Sequence, residues 1–370
     1  MRVLCVIEDP GAANGMVGLE VALAELDIRL DLYATGAALT YAPGIGLTVH
    51  DITALPDPLP AGCALLVGTS ENPDSVSFDL IKAAKAARIP SFGFVDGPAN
   101  ARHRFRGRTT SALAHAPDTL LVSDAAAGDA FIALGMSENK VLCVGHPHMD
   151  RVRDRKAQLD REGRAAVRAR LFGGIAADTR LCLFAAETSD GLDPAEFRRS
   201  DAYTLSGRGQ SNGRTEICLE EVIDALGTIP APSSLVVRLH PKNTPETFAP
   251  YMDDIAGLSR GGDPLEAVYA ADLVIGMTSV LLFEAAVMGR PTLSVTPRAS
   301  ERDWLSSIGP GLTRHVCTRP ELRDTLQAAL AGDDWTGPDR TAEIDALVPP
   351  GAAARMARAI ASRIKIQVRG

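Results

Sequence analysis

Residues 271–295 read ADLVIGMTSVLLFEAAVMGRPTLSV, and this stretch decides the fold. Its apolar run 273–276 is typical of a buried strand, and the pattern that follows predicts a helix over 280–288, which Gly289 ends. A buried strand that turns directly into an apolar helix is the unit from which doubly wound parallel sheets are built. The predicted helix carries one carboxylate, Glu284, which is costly to bury unless hydrogen-bond donors surround it.

The same alternation of short apolar strands and helices runs through the whole chain. The first half contains the strand patterns RVLCVIE, IRLDLYAT, ALLVG and PSFGFV, with helical stretches such as GMVGLEVALAEL and DLIKAAKAARI among them. The second half contains RLCLFAAE, SSLVVRLH, DLVIG and PTLSV, with helical stretches such as CLEEVIDALGTI and SVLLFEAAVMG. Strands with so few polar residues indicate parallel sheets that are covered on both faces. The sequence therefore predicts an α/β protein with two doubly wound Rossmann-like domains, whose sheets face a central cleft where ligands bind.

The length of the chain and its charged middle segment predict the domain boundaries, and the net charge argues against one class of partner. With 370 residues the chain exceeds the usual size of one hydrophobic core. We expect a first domain over 1–155, a charged linker helix over 156–174, a second domain over 175–348, and a C-terminal helix over 349–370 that packs back across the domains. The net charge of −8 argues against a nucleic-acid partner.

Cysteine usage and the N-terminus indicate a cytoplasmic protein. The six cysteines are scattered without CxxC spacing, which is typical of buried, reduced thiols. The chain runs directly into a strand pattern without an apolar signal segment, and it contains no apolar run long enough to cross a bilayer. Peripheral association with the inner face of the membrane stays open as an alternative. Oligomeric state is open as well.

The second half offers an anion site at the carboxyl edge of its predicted sheet. Thr278 and Ser279 form the turn before the predicted helix, where they can cap it while its free N–H groups favour a phosphate. A second strand ends in SSLVVRLHPKN, which places Arg238, His240 and Lys242 at the same edge. Thr278 and Ser279 could equally be helix caps alone, and His240 could be part of a structural turn.

The first half supplies candidate catalytic and substrate-binding residues at its own strand ends. Two carboxylates, Asp9 and Asp96, each follow a predicted strand directly and are candidate catalytic bases, although either could be a turn residue instead. The residues that we expect to bind substrate are Gly11, Asn14, Ser70, Asn100, Arg102, His103 and Arg104. The basic run after Asp96 suggests an anionic substrate, or else a solvated face.

These motifs carry a resemblance to a known group of enzymes. VRLHPK followed by ADLVIGMTSVLLFEAAVMGRPTLSV resembles the nucleotide-binding half of GT-B-fold glycosyltransferases and their relatives, which include CDP-glycerol glycerophosphotransferases and UDP-GlcNAc 2-epimerases. GHPHMD (145–150) is similar to the segment that precedes their linker. GRTEICLEEVIDAL (213–226) resembles a helix start in capsule and surface-polysaccharide transferases. The resemblance covers the chain in layout and about 60 residues by motif.

The resemblance implies roles for individual residues. His240 would contact a donor phosphate and take part in catalysis, Thr278 and Ser279 would bind phosphate, and Glu284 would accept hydrogen bonds from ribose hydroxyls. The first domain would hold the acceptor and the second the nucleotide donor. The chain departs from the epimerases at its N-terminus, where EDPGAANGM replaces their glycine-threonine-arginine-proline-glutamate stretch.

The function we expect is transfer of a sugar from a nucleotide sugar to a carbohydrate or other surface-polymer acceptor, anionic or lipid-linked. Two alternatives stay open: a nucleotide-sugar 2-epimerase or hydrolase, and a non-catalytic nucleotide-sugar-binding protein. No Asp-x-Asp motif lies at a strand end, so we expect a metal-independent mechanism in which the nucleotide sugar is a substrate and no further cofactor takes part.

Overall fold

The computed structural model describes residues 1–189, 197–332 and 340–369. The chain divides into two compact units: unit 1 comprises Met1–Arg151 and Asp345–Gly370, and unit 2 comprises Val152–Ile344. Within the described ranges, no helix is both long and apolar enough to cross a membrane.

Unit 1 is built on a seven-stranded parallel sheet in the order β3-β2-β1-β4-β5-β6-β7. Its strands are β1 Arg2–Ile7, β2 Arg29–Ala34, β3 His50–Asp51, β4 Cys63–Gly68, β5 Ser91–Val95, β6 Thr119–Val122 and β7 Val141–Cys143. Its helices are Pro10–Asn14, Leu19–Ala24, Gly36–Tyr41, Val76–Ala86, Ala125–Ala133 and Ala352–Arg369, with short 3-10 turns at Ala42–Ile45, Ile52–Ala54, Ala101–His103 and Glu138–Lys140. The strand order reverses between β1 and β4, since β2 and β3 lie on one side of β1 and all later strands lie on the other.

Alternate residues of the central strand β1 pack on opposite faces of this sheet. Cys5 belongs to a core cluster with Leu23 and Met356, whereas Leu4 and Val6 belong to a second cluster that contains several phenylalanines. Successive side chains of a strand point to opposite faces, so a strand buried on both faces reads as one continuous apolar run. The alternation in the sequence predicted such sheets correctly.

Unit 2 repeats the plan with a six-stranded parallel sheet in the order β10-β9-β8-β11-β12-β13. Its strands are β8 Arg180–Ala185, β9 Ser233–Arg238, β10 Gly257–Ser259, β11 Leu273–Gly276, β12 Thr292–Val295 and β13 Arg314–Val316. Its helices are Arg164–Phe172, Arg214–Gly227, Pro264–Ala270, Val280–Val287 and Arg319–Ala331, with 3-10 turns at Pro245–Tyr251 and Ala299–Trp304. The strand order reverses here between β8 and β11.

The prediction of two doubly wound α/β domains is confirmed, while a cleft shared by the two sheets stays a prediction. The division between the units falls inside the helix Pro147–Glu162, and a second helix, Thr341–Leu347, spans the return to unit 1. The C-terminal helix Ala352–Arg369 buries Met356, Ile360 and Ile364 in the core of unit 1.

The expectation that the cysteines are buried is wrong for Cys143 and holds only in part for Cys317. All six cysteines are free thiols; Cys5, Cys63, Cys182 and Cys218 are buried, Cys317 is half-buried and Cys143 is exposed. Cys143 is the last residue of β7, which is the edge strand of its sheet. An edge strand has a neighbour on one side only, so its end is not covered as a central strand is.

Candidate functional site

Three adjacent strands of unit 2 end in polar turns at one edge of the sheet. β9 leads to His240, β8 leads to Glu187, and β11 leads to Thr278. The last two strands are those between which the strand order reverses. In open parallel sheets, ligands bind in the crevice outside the carboxyl ends of such a pair of strands.

The turn after β11 presents an unsatisfied helix N-terminus. Ser279 is the N-cap of the helix Val280–Val287, and its Oγ accepts the N–H of Leu281 at 3.2 Å. Among the residues the structure describes, the N–H groups of Ser279 and Val280 donate to no protein acceptor. Two free amides at the positive end of a helix dipole form a site that favours an anion.

The turn after β9 fixes the imidazole of His240. The side-chain oxygen of Asn243 accepts the N–H of His240 at 3.0 Å, and Nδ1 of His240 accepts the N–H of Lys242 at 3.1 Å. Because Nδ1 is an acceptor, the neutral imidazole carries its proton on Nε2. His240 is half-buried, and its Nε2–H is a donor suited to an oxyanion.

Arg238 and Lys242 differ in their surroundings. Arg238 donates to the Ser259 hydroxyl at 3.0 Å and is thereby tied to the neighbouring strand β10. Burial lowers the pKa of Arg238. Lys242 is exposed. The structure thus ties Arg238 to an outer strand, and the donor-binding role of either residue stays a prediction.

Glu187 joins the turn after β8 to the turn after β11, and the sequence did not single it out. Its carboxylate accepts the N–H of Thr278 at 2.6 Å and the Thr278 hydroxyl at 3.1 Å. It is also ion-paired with Arg214 at 2.9 Å. Arg214, from the GRTE motif, is 1% exposed and forms a second ion pair with Glu301, which is fully buried.

Electrostatics hold the Arg214 guanidinium in its charged form. Burial opposes the charge, but the attraction of Glu187 and Glu301 outweighs it, so the pKa of Arg214 is raised. Glu301 is shared with Arg298 at 2.7 Å. The Trp304 ring packs against both guanidinium groups, with the ring centroid 5.7 Å from Cζ of Arg214 and 5.6 Å from Cζ of Arg298.

Glu284 lies in the second turn of the helix Val280–Val287. It is 4% exposed, as one expects of a residue in an apolar helix that packs on a sheet. Its hydrogen bond to a ribose hydroxyl stays a prediction.

In unit 1 a carboxylate also spans the reversal of strand order. Asp9 follows β1, and its Oδ2 accepts the hydroxyl of Ser70, which follows β4, at 2.6 Å. The preceding residue, Glu8, is buried and accepts hydrogen bonds from the hydroxyls of Ser75 and Ser77 at the start of the helix Val76–Ala86. The sequence did not single out Glu8, because a charged residue at a strand end gives no sign of its burial.

Asp96 lies against the start of the helix Pro10–Asn14. A Cβ atom at Gly11 would lie 2.3 Å from Oδ2 of Asp96, so only glycine allows this approach. The other carboxylate oxygen pairs with Arg104 at 2.9 Å, and Arg104 also donates to the Thr69 hydroxyl at 3.1 Å. The structure therefore brings five of the predicted residues to one edge of the sheet: Asp9, Gly11, Ser70, Asp96 and Arg104.

Arg104 is buried among carboxylates. Burial lowers its pKa, but the charges of Asp96, Glu71 and Asp9 outweigh this effect, so the pKa of Arg104 is raised. Its guanidinium is engaged inside the protein, whereas the adjacent Arg102 is exposed.

The remaining predicted residues of unit 1 have defined contacts. Asn100 adopts a positive φ of 54° and donates to Glu71 at 3.0 Å. Arg102 donates to the ring of His103 at 3.0 Å, and His103 is buried. Asn14 accepts the Tyr41 hydroxyl at 3.1 Å inside the unit. Among the described residues, no group of three or more His, Cys, Asp or Glu side chains is placed to hold a metal ion.

Comparison with known proteins shows the fold. The chain matches no protein-family model and no curated protein. It is similar to the UDP-GlcNAc 2-epimerase from Neisseria meningitidis bound to UDP-GlcNAc, with a TM-score of 0.61 and 13% identity over 99% of this chain and 100% of that chain. The chain has a GT-B-type fold.

Two further solved structures share this GT-B-type fold. The wall teichoic acid polymerase TagF has a TM-score of 0.54 and 14% identity over 100% of this chain and 90% of that chain. HepE from Anabaena in complex with UDP-glucose has a TM-score of 0.56 and 13% identity over 98% of this chain and 100% of that chain. At such identities the likeness extends to the fold and not to the activity.

Proposed function

We propose that the chain is a glycosyltransferase that moves a sugar from a nucleotide sugar to a carbohydrate or other surface-polymer acceptor. The observation that carries this proposal is the pair of free amides, Ser279 and Val280, at the helix N-terminus beside the reversal of strand order in unit 2. The presence of UDP-GlcNAc and UDP-glucose in two structures of the same fold supports a nucleotide-sugar ligand.

In the proposed reaction the donor phosphate is the leaving group. The amides of Ser279 and Val280, the helix dipole and the Nε2–H of His240 stabilise the negative charge that develops on it. Glu284 holds the ribose. Asp9 or Asp96 accepts the proton of the acceptor hydroxyl as that oxygen attacks the sugar.

A thermal-shift panel of UDP, GDP, CDP, CMP and dTDP tests the nucleotide site. A ligand that binds only the folded state raises the melting temperature, and at 100 times its Kd the stabilisation is about 2.7 kcal/mol. We expect a shift with at least one nucleotide. If none shifts the transition, the proposal is wrong.

Asparagine variants test the catalytic carboxylates. Asp9→Asn and Asp96→Asn should leave the nucleotide shift unchanged, and the variant of the true base should lose roughly 10²- to 10⁴-fold in kcat. Asp74→Asn is a matched control, because Asp74 is an exposed carboxylate of the same unit that pairs with Arg108. Normal activity in both of the first two variants would refute the assignment.

A nucleotide-sugar 2-epimerase is the second candidate. It is favoured by the TM-score of 0.61 with the Neisseria epimerase, compared with 0.54 for TagF. Incubation with nucleotide sugars alone separates the two candidates, because an epimerase turns over without an acceptor. Nucleotide binding without any turnover would favour a non-catalytic binding protein.

A further inference from the structure

Glu187 is the residue through which three segments of unit 2 meet. Its backbone oxygen accepts the Thr215 hydroxyl at 3.0 Å and the side-chain amide of Asn243 at 3.4 Å. Its carboxylate holds the N–H and the hydroxyl of Thr278. Glu187, in the turn that follows β8, therefore connects the His240 turn, the Thr278 turn and the start of the helix Arg214–Gly227.

The carboxylate of Glu187 is held in place by Arg214, which is also paired with the buried Glu301. Arg214 binds Glu187 with Nη1 at 2.9 Å and binds Glu301 with Nε at 2.7 Å. Arg214 and Glu301 are 1% and 0% exposed, whereas the side chain of Glu187 is 18% exposed. A planar guanidinium with two carboxylate partners in a water-poor setting has little freedom to move.

This arrangement leaves specific groups for a ligand. The Thr278 amide is occupied by Glu187, while the next two amides along the chain, those of Ser279 and Val280, donate to no acceptor in the described part of the chain. The direction of these two N–H groups depends on the backbone of the turn, which Glu187 holds at Thr278. The His240 turn is held by the backbone of the same residue, since the backbone oxygen of Glu187 accepts the Asn243 side-chain amide and Asn243 in turn accepts the His240 N–H.

We propose that Glu187 is a positioning residue for the donor phosphate. Its carboxylate holds the Thr278–Ser279 turn in register with the His240–Asn243 turn, which its backbone oxygen holds, so that the amides of Ser279 and Val280 and the imidazole converge on one phosphate group. The side-chain variants below remove the carboxylate contact and keep the backbone one. This inference rests on the proposed function, because it assumes that a nucleotide binds at this edge of unit 2. Arg214 supports Glu187 and also donates directly to the Thr278 hydroxyl at 3.2 Å, while Glu301 acts through Arg214. In this proposal neither Arg214 nor Glu301 touches the ligand.

The test separates the contribution of the phosphate groups to binding from that of the nucleoside. The probes are UDP and uridine, or the matching pair for whichever nucleotide the thermal-shift panel selects, and Kd values are measured by calorimetry and ligand-observed NMR. Glu187→Ala should raise the Kd of the nucleotide at least 10-fold and leave that of the nucleoside within 2-fold. Glu187→Gln retains an oxygen that can accept the Thr278 N–H, so it should recover most of the nucleotide affinity.

Glu221→Ala is the matched control. Glu221 is another buried carboxylate of unit 2 that accepts two backbone N–H groups, from Ser206 and Gly207, and pairs with an arginine, Arg319. We expect the control to change stability but not the ratio of the two Kd values.

Each outcome of the titrations is decisive. If the wild-type protein binds nucleotide and Glu187→Ala binds it equally well, the positioning role is wrong while the proposed function stands. If Glu187→Ala binds nucleotide more tightly, the carboxylate competes with the phosphate and the positioning role is also wrong. If the wild-type protein binds no nucleotide, both proposals fail together.

Discussion

Replacement of Arg214 by methionine should strongly destabilise unit 2. Methionine keeps much of the apolar stem of arginine but removes the guanidinium that pairs with Glu301 and Glu187. Glu301 is fully buried, and it would keep Arg298 as its ion-pair partner. A buried carboxylate that loses one of its two cationic partners keeps the cost of its desolvation but loses part of the attraction that offset it. The folded state is therefore destabilised.

The expected magnitude follows from the burial of the pair. Removal of one partner of a buried ion pair costs about 3–5 kcal/mol. The remaining contact between Glu301 and Arg298 places Arg214→Met near the lower end, at about 3 kcal/mol. In a domain of the size of unit 2, each kcal/mol lowers Tm by roughly 2–4 °C, so we expect a fall of roughly 6–12 °C.

The fluorescence of Trp304 provides a local assay, because its ring lies 5.7 Å from the Arg214 guanidinium. Thermal unfolding is followed in a Trp335→Phe background, which leaves Trp304 as the one tryptophan of the chain. Arg208→Met is the control, since Arg208 is 38% exposed and its partners Asp224 and Asp254 are 50% and 36% exposed, so its loss should cost about 1 kcal/mol or less.

A double-mutant cycle isolates the interaction. The loss in Arg214→Met with Glu301→Gln should fall short of the sum of the single losses by about 1–3 kcal/mol. Strictly additive losses, or an Arg214→Met variant that is no less stable than the Arg208→Met control, would refute the reasoning.

Three other predictions concern separate parts of the chain. Gly11→Ala should push the Asp96 carboxylate away by about 1 Å and lower kcat by roughly 10²-fold while the protein stays folded; unchanged kinetics would contradict the close approach at Gly11. Glu284→Gln should weaken nucleotide binding by about 1.5–3 kcal/mol, measured by titration calorimetry, and an unchanged Kd would make Glu284 structural. Burial, assisted by Arg302, lowers the pKa of His315, so the unfolded chain binds the proton more readily and stability should fall as pH drops below about 6.5. The fall in Tm between pH 7.5 and 5.5 should be smaller in His315→Gln, and equal slopes would oppose this assignment.

The fold could be predicted because it depends on local patterns. The apolar strand 273–276 and the helix after it agree with the observed β11 and Val280–Val287, apart from one residue at the C-terminal end of the helix. Buried parallel strands and apolar helices can be recognised from continuous hydrophobic runs, and the ends of helices from glycine. Such signals lie within a few residues of each other.

The supporting contacts of the site could not be predicted in the same way. Arg214 and Glu301 are 87 residues apart in the chain, and Glu301 lies in a polar stretch, SERDW, that resembles an exposed turn. No local pattern distinguishes a buried arginine from a solvated one. The same limit applies to the neighbours Arg102 and Arg104, one of which is exposed and the other buried.

The two side-chain bridges at the reversals of strand order have a thermodynamic consequence. The Asp9–Ser70 hydrogen bond links the ends of β1 and β4, and the Glu187–Thr278 hydrogen bonds link the ends of β8 and β11. In each sheet these are the two strands between which the strand order reverses. Each bridge fixes the width of its crevice before any ligand arrives, so a ligand need not spend binding free energy on drawing the strand ends together. Under the proposed function, affinity in each unit therefore depends on preorganisation, and it can be lost through a substitution that touches no ligand atom.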